Sequence, residues 1–363
     1  MSPASHSSGL TPSADVDSPP NPDSSPEPKP PSEPQTPDEA RERGLRLVSQ
    51  AEEAARQIAA QMRQAAQKSQ GAPPGDKAEQ TLDELMEFVA RALELMSRRL
   101  RGDYTIDEFG FDPEFCDEIF ATTLRPLYRS WFRVETSGIQ HIPSQGAGLI
   151  VGNHAGAVPM DAMMTALAVH DDHPSGRYLR MLGADLMFKF PVISDVARKT
   201  GVTLANTADA QRLLSGGHLV GVWPEGFKGI GKPYSQRYRL QRFGRGGFVS
   251  TALRTGAPII PCSIVGAEET YPIIGNLGTL ARILGVPYVP VTPLFPLLGP
   301  LGLVPLPSKW LIRFGEPIPT RPYGPEGADD PMLVFELTDQ VRETIQRTLY
   351  ELLEERGSAF GDS

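Results

Sequence analysis

The chain has 363 residues, 40% hydrophobic and 22% charged, with a formal net charge of −9. That composition supports a sizeable core in one large domain or two smaller ones, and the acidic balance excludes nucleic acid as an expected partner. Cys116 and Cys262 are the two cysteines; both sit in apolar surroundings and read as reduced core residues, with no metal site expected.

Residues 1–37 contain eleven prolines and nine serines and almost no large apolar side chains, so a disordered tail is expected. No apolar signal segment opens the chain, and a cytoplasmic protein is expected. Residues 38–69 read as a charged, Ala-rich helix with Val48, Ala51, Ala55, Ile58, Met62 and Ala65 on one seam. A breaker at 70–77 leads to a second helix over 79–101, striped by Leu82, Leu85, Met86, Val89, Leu93, Met96 and Leu100. Arg98, Arg99 and Arg101 end it. Its stripe suits packing on the main domain or lying on an anionic membrane surface, and these helices form a separate N-terminal extension, 38–101.

From 103 to about 320 the pattern is α/β. Helices are expected over 113–129, 160–170, 193–199, 208–215 and 247–255, and strands over 132–136, 148–151, 178–182, 202–204, 219–223, 258–265 and 310–314. Strands alternating with helices predict a mainly parallel sheet flanked by helices on both faces. Ile283 to Ser308 is a run of 26 residues without a charge, but its seven prolines rule out a membrane-spanning helix. It reads as an apolar wall over a ligand site, a dip into the membrane interface, or an ordinary buried connection. A last amphipathic helix over 331–355 carries Leu333, Leu337, Val341, Ile345, Leu349 and Leu352 and reads as a structural cap.

Two constellations carry chemistry. Leu149 to Val151 is a buried strand that breaks at Gly152-Asn153, with His154 at its end and Asp161 past Pro159 where a helix begins. A histidine whose ring is held by a carboxylate is the wiring of a general base. The second constellation is Gly221-Val-Trp-Pro-Glu-Gly-Phe-Lys-Gly-Ile-Gly-Lys232, where Glu225 and Gly226 follow another strand end. Ligands of such sheets sit beyond the carboxyl ends of strands. Between Gly226 and Ala267 there is no acidic residue, against seven basic ones: Lys228, Lys232, Arg237, Arg239, Arg242, Arg245 and Arg254. Glycines and guanidinium forks together suit phosphate oxygens. Neither a dinucleotide fingerprint, a nucleotide-hydrolase phosphate loop nor a Gly-x-Ser-x-Gly elbow is present.

Asn153-His154 with Asp161, then Trp223-Pro-Glu-Gly226, then Pro258-Ile-Ile-Pro261 with Ile264-Val-Gly-Ala267, resemble in order and spacing the blocks of the PlsC-like glycerolipid acyltransferase superfamily, over roughly residues 130 to 320. The resemblance implies that His154 is the general base and Asp161 orients it. Glu225 and Gly226, with Lys228, would contact the acceptor, and Pro261 would help shape the acyl pocket. Lys232, Arg237, Arg239, Arg242 and Arg245 are candidate anion ligands. Acyl-CoA or acyl carrier protein would be the co-substrate, with no bound cofactor. The best acceptor is 1-acylglycerol 3-phosphate, a step of phospholipid biosynthesis, on a protein peripheral to the inner face of the membrane.

Two departures bear on the acceptor. The usual spacing His-x-x-x-x-Asp would put the carboxylate at Pro159, and the longer spacing here resembles the diacylglycerol-acyltransferase-like branch. After Gly226 the usual Thr-Arg or Ser-Arg is Phe227-Lys228, and lysine is a point charge where arginine is a fork. A neutral acceptor, diacylglycerol or a long-chain alcohol, is therefore the alternative. A lipid-binding scaffold without turnover is the alternative of another class.

Overall fold

The computed structural model describes residues 36–68 and 76–361. The tail expected over 1–37 lies outside the described residues but for its last two, and so does most of the breaker at 70–77. Helices α1 (Pro37–Lys68) and α2 (Asp76–Arg101) pair as a hairpin. Val48 and Ala59 are buried in α1, whereas Ile58 and Met62 are more than half exposed. The contact line is therefore rotated from the expected seam. Small residues explain it: a methyl group on Gly44 would lie 2.8 Å from the Leu100 side chain, so the helices approach where bulk is least. The C-terminal end of α2 is fastened to the main domain, where Arg98 pairs with Glu114 and Arg99 with the buried Asp112. The stripe is partly covered, with Leu85 and Met96 left exposed.

The strands of the main sheet are β1 (Glu135–Ser137), β2 (Gly148–Gly152), β3 (Leu179–Gly183), β4 (Val202–Leu204), β5 (Leu219–Val222), β6 (Ile259–Val265) and β7 (Leu311–Phe314). They form one sheet in the order β1-β7-β6-β2-β5-β3-β4. Every pairing is parallel except β6 with β7, so the β7-β1 edge runs against the other five strands. All residues of β2 and β6 are buried, which is why they read as unbroken apolar runs. Ile150, Ile260, Cys262 and Ile264 face one layer, with α3 (Met160–Asp172), α4 (Pro191–Lys199) and the helical stretch 113–131. Leu149, Val151, Ile259 and Val265 face the other, with α5 (Thr207–Ser215), α6 (Gly247–Thr255) and α7 (Pro331–Arg356). Both cysteines are buried and free.

Two expectations shift. The helix over 113–129 runs on to Trp131 and alternates α turns with π turns at Cys116–Ala121 and Leu127–Trp131. The strand expected from Phe132 begins only at Glu135: Arg133 has φ 46, and Phe132 instead stacks on Trp310 at 4.9 Å. In α7, Val334, Leu337, Val341, Ile345, Leu349 and Leu352 are buried against the sheet. The apolar run holds the end of a helix (Gly278–Leu284), a two-residue strand (Pro290–Val291) and a 3-10 turn (Gly299–Leu303). No helix among the described residues is long and apolar enough to cross a membrane.

Candidate active site

The site lies at the carboxyl ends of β2 and β5. Asn153, fully buried, continues the sheet with its side chain: its amide donates to the Ile264 carbonyl at 3.0 Å and its oxygen accepts the Ile264 amide at 2.8 Å. These two bonds pin the end of β2 to β6 and so set where His154 leaves the strand. Asp161 enters from the first turn of α3. One of its oxygens takes His154 Nδ1 at 2.6 Å and the Ala155 amide at 2.9 Å, and the other takes the Ala162 amide at 2.8 Å. Because Asp161 only accepts, the ring proton sits on Nδ1, and Nε2 presents a lone pair with no protein partner among the described residues. The His154 side chain keeps 13% of its surface open and Asp161 none.

Glu225, after β5, has no exposed side-chain surface. Its Oε1 accepts the His154 main-chain amide at 2.8 Å and its Oε2 accepts the Gln241 amide at 2.6 Å. Burial pushes its carboxyl up, against the pull of Lys232 and the two amides. Gly226 adopts φ 55, ψ −142, a conformation open in practice to glycine alone. Gly229 is required for room: a methyl group there would lie 2.6 Å from the His154 carbonyl oxygen and 2.8 Å from Glu225 Cβ. Trp223 lies across Gly221 and Gly152, which leave space for its indole, with its ring 6.0 Å from the His154 ring.

The candidate anion ligands divide. Lys232 is buried, 2.9 Å from Glu268 and 3.7 Å from Glu225, so its charge is matched inside the protein. Burial pushes Glu268 up to about 7, with Lys232 opposing. Lys228, Arg237, Arg239, Arg242 and Arg245 are exposed. Arg237 stacks on Tyr234, 4.5 Å to the ring centre. Past the short helix Phe227–Ile230 and the 3-10 turn Tyr234–Gln236 their loop is irregular, yet side chains hold its backbone residue by residue. Glu268 takes the Tyr238 amide, Gln346 of α7 bonds the Tyr238 carbonyl and the Leu240 amide, Lys232 reaches the Arg239 carbonyl, and Glu225 takes the Gln241 amide. Tyr238, at φ 61, is anchored by its hydroxyl to Glu269 and Arg356. Pro261 is buried in β6, paired with Val151 and with its carbonyl taken by the Gly315 amide at 2.7 Å. One residue away, Cys262 faces the layer of Asp161, so the pleat turns the Pro261 ring to the opposite face.

Sequence reasoning did not single out Gln241, Gln346 or Tyr288, and it named Asn153 and the loop glycine Gly229 without the contacts they make here. Tyr288, from the apolar run, donates its hydroxyl to the Ala157 carbonyl at 2.9 Å and lies over Gly231. The one sequence signal was that Glu268 and Glu269 are the only acids between Gly226 and Gly315.

The sequence model of the family described as Acyltransferase matches residues 133–265, which contain β2, β5 and most of the site. A protein of Mycobacterium tuberculosis is 56% identical over 282 residues, covering 78% of this chain and 79% of its own, and one of Mycobacterium leprae is 56% identical over 78% and 77%. A Bos taurus protein described as a DGAT1/2-independent enzyme synthesizing storage lipids is 26% identical over 148 residues, 40% of this chain and 42% of its own. The crystal structure of the 1-acyl-sn-glycerophosphate (LPA) acyltransferase PlsC of Thermotoga maritima aligns with a TM-score of 0.40 at 17% identity, over 75% of this chain and 97% of that one. With the His154–Asp161 pair at the head of a parallel sheet inside the matched segment, the chain belongs to the PlsC-like acyltransferase family.

Proposed function

We propose that this protein moves a fatty acyl group from an acyl thioester, acyl-CoA or acyl carrier protein, to a glycerolipid hydroxyl, with 1-acylglycerol 3-phosphate as the acceptor. The observation that carries the reading is the 2.6 Å contact of His154 Nδ1 with buried Asp161, which leaves Nε2 as the basic atom. Nε2 takes the proton of the acceptor hydroxyl as its oxygen attacks the thioester carbonyl carbon. The tetrahedral intermediate collapses, the C–S bond breaks, and the leaving thiolate takes the proton back from the imidazolium. Asp161 stabilises that imidazolium. No covalent enzyme intermediate is required, because positioning brings the two substrates together.

Lys228, Arg237, Arg239, Arg242 and Arg245 would receive phosphate oxygens of the acceptor or of the donor. Gly226 would let the acceptor approach the backbone, and Pro261 would act on the acyl chain only through the sheet. Glu225 would serve by holding His154 and the basic loop. The enzyme would work as a peripheral protein on the inner face of the membrane.

A second reading, a neutral acceptor such as diacylglycerol or a long-chain alcohol, is favoured by the apolar, exposed Phe227 in the acceptor loop. The test is thiol release from a long-chain acyl-CoA by the full chain, with 1-acylglycerol 3-phosphate, glycerol 3-phosphate, diacylglycerol and a long-chain alcohol as acceptors, beside His154→Ala. Turnover of 1-acylglycerol 3-phosphate, lost in the variant, supports the first reading. Turnover of the neutral acceptors alone supports the second. Silence with both acyl-CoA and acyl carrier protein donors would leave a lipid-binding scaffold.

A further inference from the structure

Residues 226–315 make up about a quarter of an acidic chain and contain two carboxylates, Glu268 and Glu269. Both are buried, at 5% and 2% exposure, and are matched by Lys232 and Arg356. No carboxylate of this stretch reaches the surface. Of its ten lysines and arginines, Lys232 is buried, and Arg254, Lys309 and Arg313 pair with Asp329, Glu135 and the Glu351/Glu355 couple. Lys228, Arg237, Arg239, Arg242, Arg245 and Arg282 have no carboxylate partner among the described residues. The same stretch exposes aliphatic side chains that a folded protein normally covers: Ile274, Ile283, Leu297, Leu301 and Leu303 are 57% to 83% exposed.

The basic loop and the apolar segment are joined. The Tyr234 amide donates to the Ile273 carbonyl at 2.8 Å, and Tyr288 lies over Gly231 while its hydroxyl holds Ala157 of the His154 loop. Cations, exposed aliphatics and the loop of the base thus belong to one continuous region. Grouped exposed apolar residues mark an interaction surface.

We infer that this region, residues 227–245 with 274–304, is the face by which the protein docks on an anionic lipid bilayer. The chemistry fits lipid better than protein. The most exposed apolar tips are leucines and isoleucines on irregular backbone, set beside cations with no carboxylate to pair them, which is the chemistry of an anionic lipid surface. Such backbone enters the interfacial layer and not the hydrocarbon core, where its polar groups would go unmet. Unpaired cations with no neighbouring carboxylate are attracted to anionic headgroups. The α1-α2 hairpin also exposes Ile58, Met62, Leu85 and Met96, but its sequence balances eleven carboxylates against eleven cations, so an anionic surface gains little from it. Docking by the 227–304 face would open the His154 loop toward the lipid from which an acceptor comes. The inference rests on the proposed peripheral membrane reading and assigns its face, and vesicle binding is measured without turnover, so it and the proposed reaction fail separately.

The experiment is co-sedimentation of the full chain with vesicles of phosphatidylcholine alone and of phosphatidylcholine with roughly one third phosphatidylglycerol. The variants are Leu297→Glu/Leu301→Glu on the proposed face and Met62→Glu/Met96→Glu on the hairpin. All four positions are exposed, so thermal unfolding should match wild type. We expect binding to the anionic vesicles that weakens with salt, and at least about tenfold weaker binding for the loop variant, with the hairpin variant unchanged. Thiol release from a short-chain acyl-CoA to a water-soluble acceptor should persist in the loop variant if the proposed reaction holds. Wild type that ignores anionic vesicles, a loop variant that binds as well as wild type, or loss of binding in the hairpin variant alone would each overturn the inference.

Discussion

The main chain of His154 is held by the side chain of Glu225: the His154 amide donates to Oε1 at 2.8 Å, while Oε2 takes the amide of Gln241 at 2.6 Å. A carboxylate with no exposed surface and both oxygens engaged places His154 and the arginine-rich loop relative to each other. Glu225→Gln keeps one acceptor oxygen and turns a second donor toward an amide. We expect kcat to fall about 10–100-fold, with the acceptor KM changed by less than about threefold. A raised KM at unchanged kcat would mean that Glu225 meets the acceptor itself.

Asp161→Asn tests the tautomer. The amide can offer its nitrogen to Nδ1, which then becomes the acceptor and puts the proton on Nε2, where a base needs a lone pair. The expected loss in kcat is about 10³–10⁴-fold, by analogy with the same exchange in a histidine-dependent protease. Stability should fall too, because the Ala155 and Ala162 amides bond this carboxylate. Urea unfolding beside kinetics separates the two losses, and a fully active Asp161→Asn protein would remove Asp161 from the mechanism.

Gly226 and Gly229 should respond differently to alanine. At 229 the methyl group meets the His154 carbonyl at 2.6 Å, so His154 must shift, and activity should drop about 100-fold. At 226 nothing lies within 4 Å, but the backbone conformation is strained for alanine by about 1–3 kcal/mol, so stability should fall. A Gly229→Ala enzyme with wild-type kcat would show that the loop yields freely.

Glu268 predicts a pH dependence of stability. In the folded chain its carboxyl is pushed up to about 7 by burial, against an ordinary value of 4.5. Between those values the folded state holds a proton that the unfolded state has released, so stability should decline as pH rises from about 4.5 to about 7. Glu268→Gln has no such proton and should flatten that part of the profile. Urea midpoints for both proteins across this range provide the check, and parallel profiles would contradict the assignment.

What was legible in the sequence is what periodicity and residue order encode. Strand β6 is buried on both faces, so its seven residues form one apolar run. Helix α6 lies between Gly246 and Gly256, both in left-handed conformations that end a helix. The His154–Asp161 pair was legible because a strand end and a helix start fall either side of Pro159. What escaped depends on partners distant in sequence. Lys232 reads as an anion ligand until Glu268 is brought against it, and Gln346 reads as one polar residue of a capping helix until it meets Tyr238 and Leu240. The hairpin seam escaped because alanine and glycine decide it by smallness, which an apolar-periodicity reading underweights.

Residues 238–241 have a further consequence. Fixing the backbone of one residue costs about 1–2 kcal/mol of conformational entropy, so a free loop of four would lose about 4–8 kcal/mol on closing around a ligand. Here Glu225, Lys232, Glu268 and Gln346 impose that order during folding. An anion reaching Arg239 or Arg242 has only side-chain rotamers left to freeze. Its affinity should therefore show a small unfavourable entropy, and weakening the scaffold at Gln346 should appear first as an entropic penalty on binding.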